Sequence, residues 1–173
     1  PRGSRLAGET WDDALPLGLA DGRSVGSFGY RYVEANHYHD RSPEQGLAEI
    51  ERILRESDYI ILASQRVSGS TDRMPWRYPM VNRYYDLLKA ERLGFELVYE
   101  ESRSPAFGPY RIDSRWADES FSVYDHPPVE IYQKRATLGS DHLQALFAGA
   151  LEQTPVVSRT PPKDKPLLLT EPL

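Results

Sequence analysis

The sequence predicts an α/β fold in which a mostly parallel sheet is covered by helices. Residues 59–63 (Tyr-Ile-Ile-Leu-Ala) form an apolar run without polar alternation, which is typical of a strand buried on both faces. One amphipathic helix is predicted before this run and another after it, and candidate strands flank the two helices. Strands that alternate with helices in this way indicate a single α/β domain.

Hydrophobic spacing and capping residues predict three helices. The first covers residues 42–57, because Ser42 is a favourable N-cap and Gln45 completes a capping box with it. The second is predicted over residues 79–93 and the third over residues 140–152, each with apolar residues at helical spacing.

Further strands are predicted around the central one. Residues 30–35 and 95–99 have the composition of strands, and residues 121–124 and 129–132 predict two strands joined by the turn at 125–128. We expect these last two to form an antiparallel hairpin at the C-terminal edge of the sheet. The complete expectation is a three-layer, Rossmann-like, mostly parallel sheet with helices on both faces.

The composition excludes several classes of protein. The chain of 173 residues is 39% hydrophobic and contains no cysteine, so it can bury a core without disulfides and offers no thiolate ligand or nucleophile. Its net charge of −5 argues against a nucleic-acid-binding domain, which usually carries a basic excess. The longest apolar runs are far shorter than the roughly 18–20 residues of a membrane-spanning helix. We therefore expect a soluble fragment with no nucleic-acid partner.

Changes in composition divide the chain into three parts. Residues 1–4 (Pro-Arg-Gly-Ser) match the end of an engineered protease-cleavage sequence, so they are either a cloning scar or native residues. Residues 5–152 are expected to form one α/β domain. Residues 153–173 are rich in proline and lack helical periodicity, which indicates an extended linker or tail.

Polar residues follow the predicted strands of the parallel part of the sheet. Ligands of open α/β sheets usually bind beyond the carboxyl ends of the strands. Three strand ends are concerned: a possible strand before Trp11 and the strands predicted at 30–35 and 59–63. If these three strands are neighbours, carboxylate, imidazole and guanidinium groups converge on one edge of the sheet. The alternative is that these are turn and capping residues, which favour strand ends in any case. The residues concerned are Trp11, Asp12, Asp13, His39, Asp40, Ser64, Gln65 and Arg66.

The sequence predicts neither a metal site nor a cofactor. His37 and His39 are two residues apart and precede Asp40, a spacing that a divalent metal could use, but a third ligand with suitable spacing is not evident. The phosphate-binding loop, the dinucleotide-binding glycine pattern and the nucleophile elbow do not occur.

The stretch from Arg66 to Arg83, which we call the Arg–Tyr segment, combines arginines with aromatic residues and a single acid, Asp72. Guanidinium groups suit phosphates and carboxylates, and aromatic faces suit sugars or cations. The alternative is a structural clasp in which the arginines pair with carboxylates of the same chain. Exposure is expected above all for Arg73 and Arg77, since prolines place them in a loop. The segment contains Arg66, Arg73, Trp76, Arg77, Tyr78 and Arg83, and Tyr84 and Tyr85 follow it.

An ordered set of short motifs carries a resemblance to a known family. The motifs are Thr10-Trp11-Asp12-Asp13-Ala14-Leu15-Pro16, residues 58–66, Arg77-Tyr78-Pro79, Tyr84-Tyr85, residues 93–97 and residues 118–127, which end in Tyr124-Asp125-His126-Pro127. Together they resemble the extracytoplasmic region of bacterial multi-pass membrane proteins of the glycosyltransferase family 39-like, or dolichyl-phosphate-mannose-protein mannosyltransferase-like, type. The resemblance covers roughly residues 9–135.

The resemblance implies a fragment of a GT-C class enzyme, which transfers a sugar from a polyprenyl-phosphate donor outside the membrane. The catalytic acid of that class lies in an early loop between membrane helices, so no residue of this chain is expected to be catalytic. Trp76 and Pro128 depart from the pattern, because charged residues are expected there. The candidate ligand or interface residues are Trp11, Asp12, Asp13, Arg66, Arg73, Arg77, Tyr78, Tyr124, Asp125 and His126.

The expected function is therefore that of a non-catalytic extracytoplasmic accessory domain, which helps to shape the acceptor or donor site of a membrane glycosyltransferase. The expected partners are the transmembrane module of the same polypeptide and a lipid-linked sugar or anionic lipid headgroups. The alternative from another class is a stand-alone carbohydrate- or anion-binding module. An independent enzyme on a Rossmann-like sheet is a third hypothesis, and no cofactor motif supports it.

Overall fold

The computed structural model describes residues 3–9, 31–35, 37, 42–101, 106–107, 110–111 and 128–153. The strands within these ranges are β1 (Arg5–Glu9), β2 (Arg31–Ala35), β3 (Tyr59–Leu62), β4 (Phe95–Glu101), β5 (Ala106–Phe107), β6 (Tyr110–Arg111) and β7 (Val129–Lys134). The helices are α1 (Pro43–Glu56), α2 (Arg66–Asp72), α3 (Pro79–Lys89) and α4 (Ser140–Leu151).

Five of the strands form one mixed sheet in the order β2-β1-β3-β7-β4. β1 is parallel to both β2 and β3, whereas β7 is antiparallel to both β3 and β4. Four of the five strands consequently run in the same direction. The predicted α/β class with a mostly parallel sheet is confirmed at this level.

The predicted position of the C-terminal hairpin is wrong for the strand that the structure describes. The strand predicted at 129–132 is β7, and it lies inside the sheet between β3 and β4 instead of at an edge. Its apolar residues point to both faces, with Tyr132 buried and Ile131 half-buried, and such a strand is best shielded between two neighbours. The strand predicted at 121–124 lies outside the described residues.

The central strand β3 is buried more deeply on one face than on the other. Ile60 and Leu62 are 2% and 5% exposed, whereas Tyr59 and Ile61 are half-buried. Ile60 is in register with Ala7 on one side and with Tyr132 on the other, and both of these are buried too. Of the two neighbours of β3 in the sheet, β1 is parallel to it and β7 is antiparallel.

The helices begin close to the predicted positions, and α3 ends early. At α1 the capping box is present: Gln45 N–H donates to Ser42 Oγ at 3.3 Å, and Ser42 N–H donates to Gln45 Oε1 at 3.2 Å. α3 ends at Lys89 instead of residue 93, because the chain reverses through Glu91 and Gly94, both at positive φ. The short helix α2 was not predicted, since its sequence RVSGSTD has glycine and two serines that weaken a helical pattern.

The described helices pack together over one side of the sheet. α1, α3 and α4 contact one another, and α2 contacts α3, so the four share one face of the sheet. Arg83 Nε of α3 donates to the Leu146 carbonyl of α4 at 3.0 Å. The buried helix residues join those of the strands in one core, and they include Leu47, Ile50, Ile53, Leu54, Tyr84, Leu87, Leu88, Leu143, Leu146 and Phe147. Within the described ranges, no helix is both long and apolar enough to cross a membrane.

Asp58, immediately before β3, joins three strands at the amino end of β1. Its side-chain Oδ2 accepts a hydrogen bond from Arg5 N–H at 2.8 Å, and its own N–H donates to the Arg5 carbonyl at 2.8 Å. Its carbonyl accepts from Lys134 N–H of β7 at 2.9 Å. The hydrogen bond from the Arg5 backbone, helped by the Arg5 charge, lowers the pKa of Asp58.

Asp58→Asn should lower the melting temperature at neutral pH, because the carboxylate is stabilised in the folded chain. A lowered folded-state pKa contributes stability that is present above the unfolded pKa and is lost as the pH falls through the folded pKa. The difference in melting temperature between wild type and variant should therefore shrink only at acidic pH, below the ordinary aspartate value. Thermal unfolding across a pH series measures it. A difference that stays constant from neutral to strongly acidic pH would contradict the assignment.

Ile60→Ala should reduce the free energy of unfolding by about 2–5 kcal/mol, since it opens a cavity against the helices. Ile61→Ala is the matched control: it removes the same groups from the next position, on the half-buried face, and should cost clearly less. Urea denaturation of both variants measures the two losses. Equal losses would show that the two faces of β3 are buried alike, contrary to the structure.

Candidate functional site

The carboxyl ends of the three parallel strands lie side by side. Glu9 is the last residue of β1, His37 follows β2 and Ser64 follows β3. Because β1 lies between β2 and β3, the order in which strands are added to the sheet reverses at β1. Ligands of open α/β sheets bind at such a reversal, outside the carboxyl ends of the strands. The condition for convergence, that the three strands are neighbours, holds for the described strands.

A buried polar group, which we call the Glu9 cluster, occupies this edge of the sheet. It consists of Glu9, His37, Tyr84 and Tyr85, all of them buried. The Tyr85 hydroxyl donates a hydrogen bond to Glu9 Oε1. The His37 ring lies 4.8 Å from the Tyr84 ring and 5.8 Å from the Tyr85 ring, between ring centroids. The cluster connects the ends of two strands to helix α3.

Burial and the charge of Glu9 affect the pKa of Tyr84 in the Glu9 cluster. Burial raises the pKa of Tyr84, and the negative charge of Glu9 raises it further. Tyr84 is therefore a neutral phenol at physiological pH. It packs edge-on against Tyr85 at 5.2 Å between ring centroids, so two phenol rings lie beside the buried acid.

A cleft of about 480 Å³ lies beside the cluster, between α2 and α3, and we call it the α2–α3 cleft. Tyr85 lines it and also belongs to the Glu9 cluster, so the two features share this side chain. The polar and charged residues that line the cleft are Gln65, Ser68, Asp72, Arg73, Asn82, Tyr85, Asp86 and Lys89.

Hydrogen bonds fix the two walls of the cleft relative to each other. Asn82 Nδ2 of α3 donates to the Thr71 carbonyl of α2 at 2.9 Å. Thr71 is itself fully buried, and its hydroxyl donates to the Val67 carbonyl at 3.0 Å. Arg66 N–H donates to Ser64 Oγ at 3.1 Å, which ties the start of α2 to the end of β3. The cleft is therefore built on a fixed framework that begins at the sheet.

The four arginines of the Arg–Tyr segment differ in exposure and in contacts. Arg73 is exposed, as expected, and lines the cleft. Arg77 is half-buried instead of exposed, because its guanidinium lies 5.3 Å from the centre of the Tyr78 ring. Arg66 is half-buried in the first turn of α2, and Arg83 holds α4 through its hydrogen bond to Leu146. Arg83 thus has a structural contact, although with a carbonyl and not with the carboxylate of the clasp hypothesis, whereas Arg73 is exposed at the cleft.

Six of the predicted ligand or interface residues lie outside the described residues. Of the residues predicted as ligand or interface residues, those outside the described ranges are Trp11, Asp12, Asp13, Tyr124, Asp125 and His126. Sequence reasoning missed Glu9 and Asn82, because an acid at a strand end and an amide on a helix have no distinguishing pattern. The described residues contain no group of three or more metal-ligating side chains placed to hold an ion.

Comparison of the chain with protein-family models, with curated protein sequences and with solved structures gives no match. The function is therefore inferred from the motifs and from the geometry of the described residues. That geometry offers a cleft with hydrogen-bond donors and acceptors on both walls, which suits the binding of a small polar molecule.

Tyr85→Phe should lower the free energy of unfolding by about 1–3 kcal/mol, because the buried carboxylate of Glu9 loses a donor. Tyr59→Phe is the matched control, since it removes the hydroxyl that accepts a hydrogen bond from Gln133 at a half-buried position. The control should cost less. Denaturant unfolding at neutral pH measures both, and a smaller loss at Tyr85 than at Tyr59 would contradict the role given to this hydrogen bond.

Proposed function

We propose that this chain is a non-catalytic extracytoplasmic accessory domain of a polyprenyl-phosphate-sugar-dependent membrane glycosyltransferase. The domain packs on the transmembrane module of the same polypeptide and helps to shape the site for the acceptor or for the lipid-linked donor. This proposal places the chain with the glycosyltransferase family 39-like proteins whose motifs it resembles. The catalytic acid of that class belongs to a membrane loop, so the contribution of this domain is binding and shape.

The observation that carries the proposal is where the resembling motifs lie in the fold. The motif at residues 58–66 supplies Asp58, the whole of β3 and the first residue of α2, so it runs across the sheet to the edge of the cleft. The Tyr84-Tyr85 motif supplies two members of the Glu9 cluster. These two motifs thus contribute to the carboxyl edge of the sheet, where α/β domains bind ligands.

We also propose that the sheet is the middle of a three-layer, Rossmann-like arrangement. The face of β3 and β7 opposite the described helices carries Ile61 in register with Ile131, both half-buried. An apolar sheet face is stable when another layer covers it. The second layer would cover these two isoleucines only in part, in keeping with their half-buried side chains.

Arg73 is the arginine of the segment best placed to meet phosphate. It is exposed at the cleft, and Trp76 in the following turn is 58% exposed. Near a membrane, each basic side chain contributes about 1 kcal/mol of attraction to anionic headgroups, and salt screens it. A lipid-linked sugar or an anionic lipid headgroup is the proposed partner of this surface.

A stand-alone carbohydrate- or anion-binding module is the second candidate function. The α2–α3 cleft favours it, because a volume of about 480 Å³ falls in the range of small-molecule sites. The two candidates differ in whether the domain acts within a membrane protein or alone.

The full-length gene product in its native cells tests the first proposal. Its translated sequence should contain hydrophobic segments of about 20 residues, each long enough to span a membrane. The product should remain in the membrane fraction after an alkaline wash, and protease added to intact spheroplasts should digest this domain. Release by the wash would contradict the membrane anchoring, and protection from the protease would contradict the extracytoplasmic placement.

A further inference from the structure

The charges of the α2–α3 cleft balance. Asp72 and Asp86 line it together with Arg73 and Lys89, so the formal charges of these four side chains sum to zero. All four are exposed, and no ion pair joins them within the described residues. A phosphate or a carboxylate ligand would meet two attractive and two repulsive groups here, and a cation would meet the same balance.

The cleft nevertheless offers hydrogen bonds of both kinds on both walls. The carboxylates accept only, the guanidinium and the ammonium donate only, and the Gln65 amide does both. Asn82 uses its Nδ2 on the Thr71 carbonyl, and its amide oxygen is an acceptor. The guanidinium fork of Arg73 can donate to two neighbouring oxygens at once. This mixture matches a molecule whose every polar group both donates and accepts, and hydroxyl groups have that property.

Tyr85 fixes the base of the cleft through its hydrogen bond to Glu9. Tyr85 lies between the cleft and the buried Glu9, to which it donates its hydroxyl proton. Its ring is therefore held in place at the base of the cleft, where 4% of the residue is exposed. A ring-shaped polyol has the complementary character, with hydroxyls at its rim and C–H groups on its faces.

From these observations we propose that the α2–α3 cleft binds a neutral hexopyranose. Asp72, Asp86 and Arg73 hold the hydroxyls, and the small exposed part of Tyr85 touches the sugar at the base of the cleft. The proposal deepens the accessory-domain function and rests on it only for the origin of the sugar, as part of a lipid-linked donor or of an acceptor. Nothing in the cleft requires the phosphate of the donor.

The test is a titration of the isotope-labelled 173-residue chain, followed by its backbone amide spectrum. The probes are the methyl α-glycosides of mannose, glucose and galactose, with inorganic phosphate as the anion probe. At least one glycoside should give saturable shifts with a millimolar dissociation constant, centred on Gln65, Asn82 and Lys89. Added phosphate should not displace it.

Two matched variants connect the binding to the cleft. Asp86→Ala should weaken glycoside binding by about tenfold, the effect of losing one hydrogen bond to a charged acceptor. Asp141→Ala makes the same change at an exposed position of α4, outside the cleft lining, and should leave binding unchanged. Both variants should keep the amide spectrum of the folded chain. If Asp86→Ala does not fold, Asp72→Ala, at the other exposed carboxylate assigned to the hydroxyls, takes its place with the same expected loss.

Three results would overturn the proposal. Binding of phosphate without any glycoside would make the cleft an anion site. Glycoside shifts centred away from α2 and α3 would place the sugar elsewhere, and the absence of binding by all three glycosides would exclude the site. Failure here is distinguishable from failure of the accessory-domain proposal. A gene product without membrane segments would contradict the accessory-domain proposal and leave the sugar site intact. A membrane protein whose domain binds none of the glycosides would contradict the sugar site and leave the accessory-domain proposal intact.

Discussion

The pairing of β3 with two unlike neighbours holds the sheet together. β3 joins the parallel strands β2 and β1 on one side to the antiparallel pair β7 and β4 on the other. Its ladder to β1 is short, with two register pairs against four for β7. Asp58 reinforces the short side, because its side chain and its backbone both bond to Arg5. Backbone ladders of this kind leave few buried polar groups unsatisfied, so both halves of the sheet depend on this strand.

The position of β1 beside β3 also creates the candidate site. It brings the end of β1, with Glu9, next to the end of β3, from which α2 starts. A buried carboxylate costs several kcal/mol unless hydrogen bonds compensate it, and Tyr85 supplies one of them. This bond ties α3 to the sheet edge, while Asn82 ties α3 to α2. The cleft between α2 and α3 is thus a consequence of the hydrogen bonds that satisfy the buried polar groups at the strand ends.

The two proposals assign different chemistry to neighbouring parts of one surface. The cleft, with Arg73 included, is neutral in sum and suits hydroxyl groups, whereas the exposed Trp76 in the following turn suits a membrane interface. A lipid-linked sugar contains both chemistries in one molecule. The two proposals are therefore compatible with a single ligand.

The elements that the sequence by itself determined are those that depend on neighbours in the chain. The capping box at Ser42 starts α1, and the apolar run of β3 and the apolar spacing of α4 follow from local periodicity. Only the tertiary structure decided that β7 enters the sheet between β3 and β4, and that Glu9 is buried under Tyr85, 76 residues away in the chain. Strand order and buried polar contacts join distant residues, and local periodicity carries no information about which distant residues meet. The candidate site depends on these contacts. Its arginines could be named from the sequence, but the cleft that Arg73 lines could not be predicted from it.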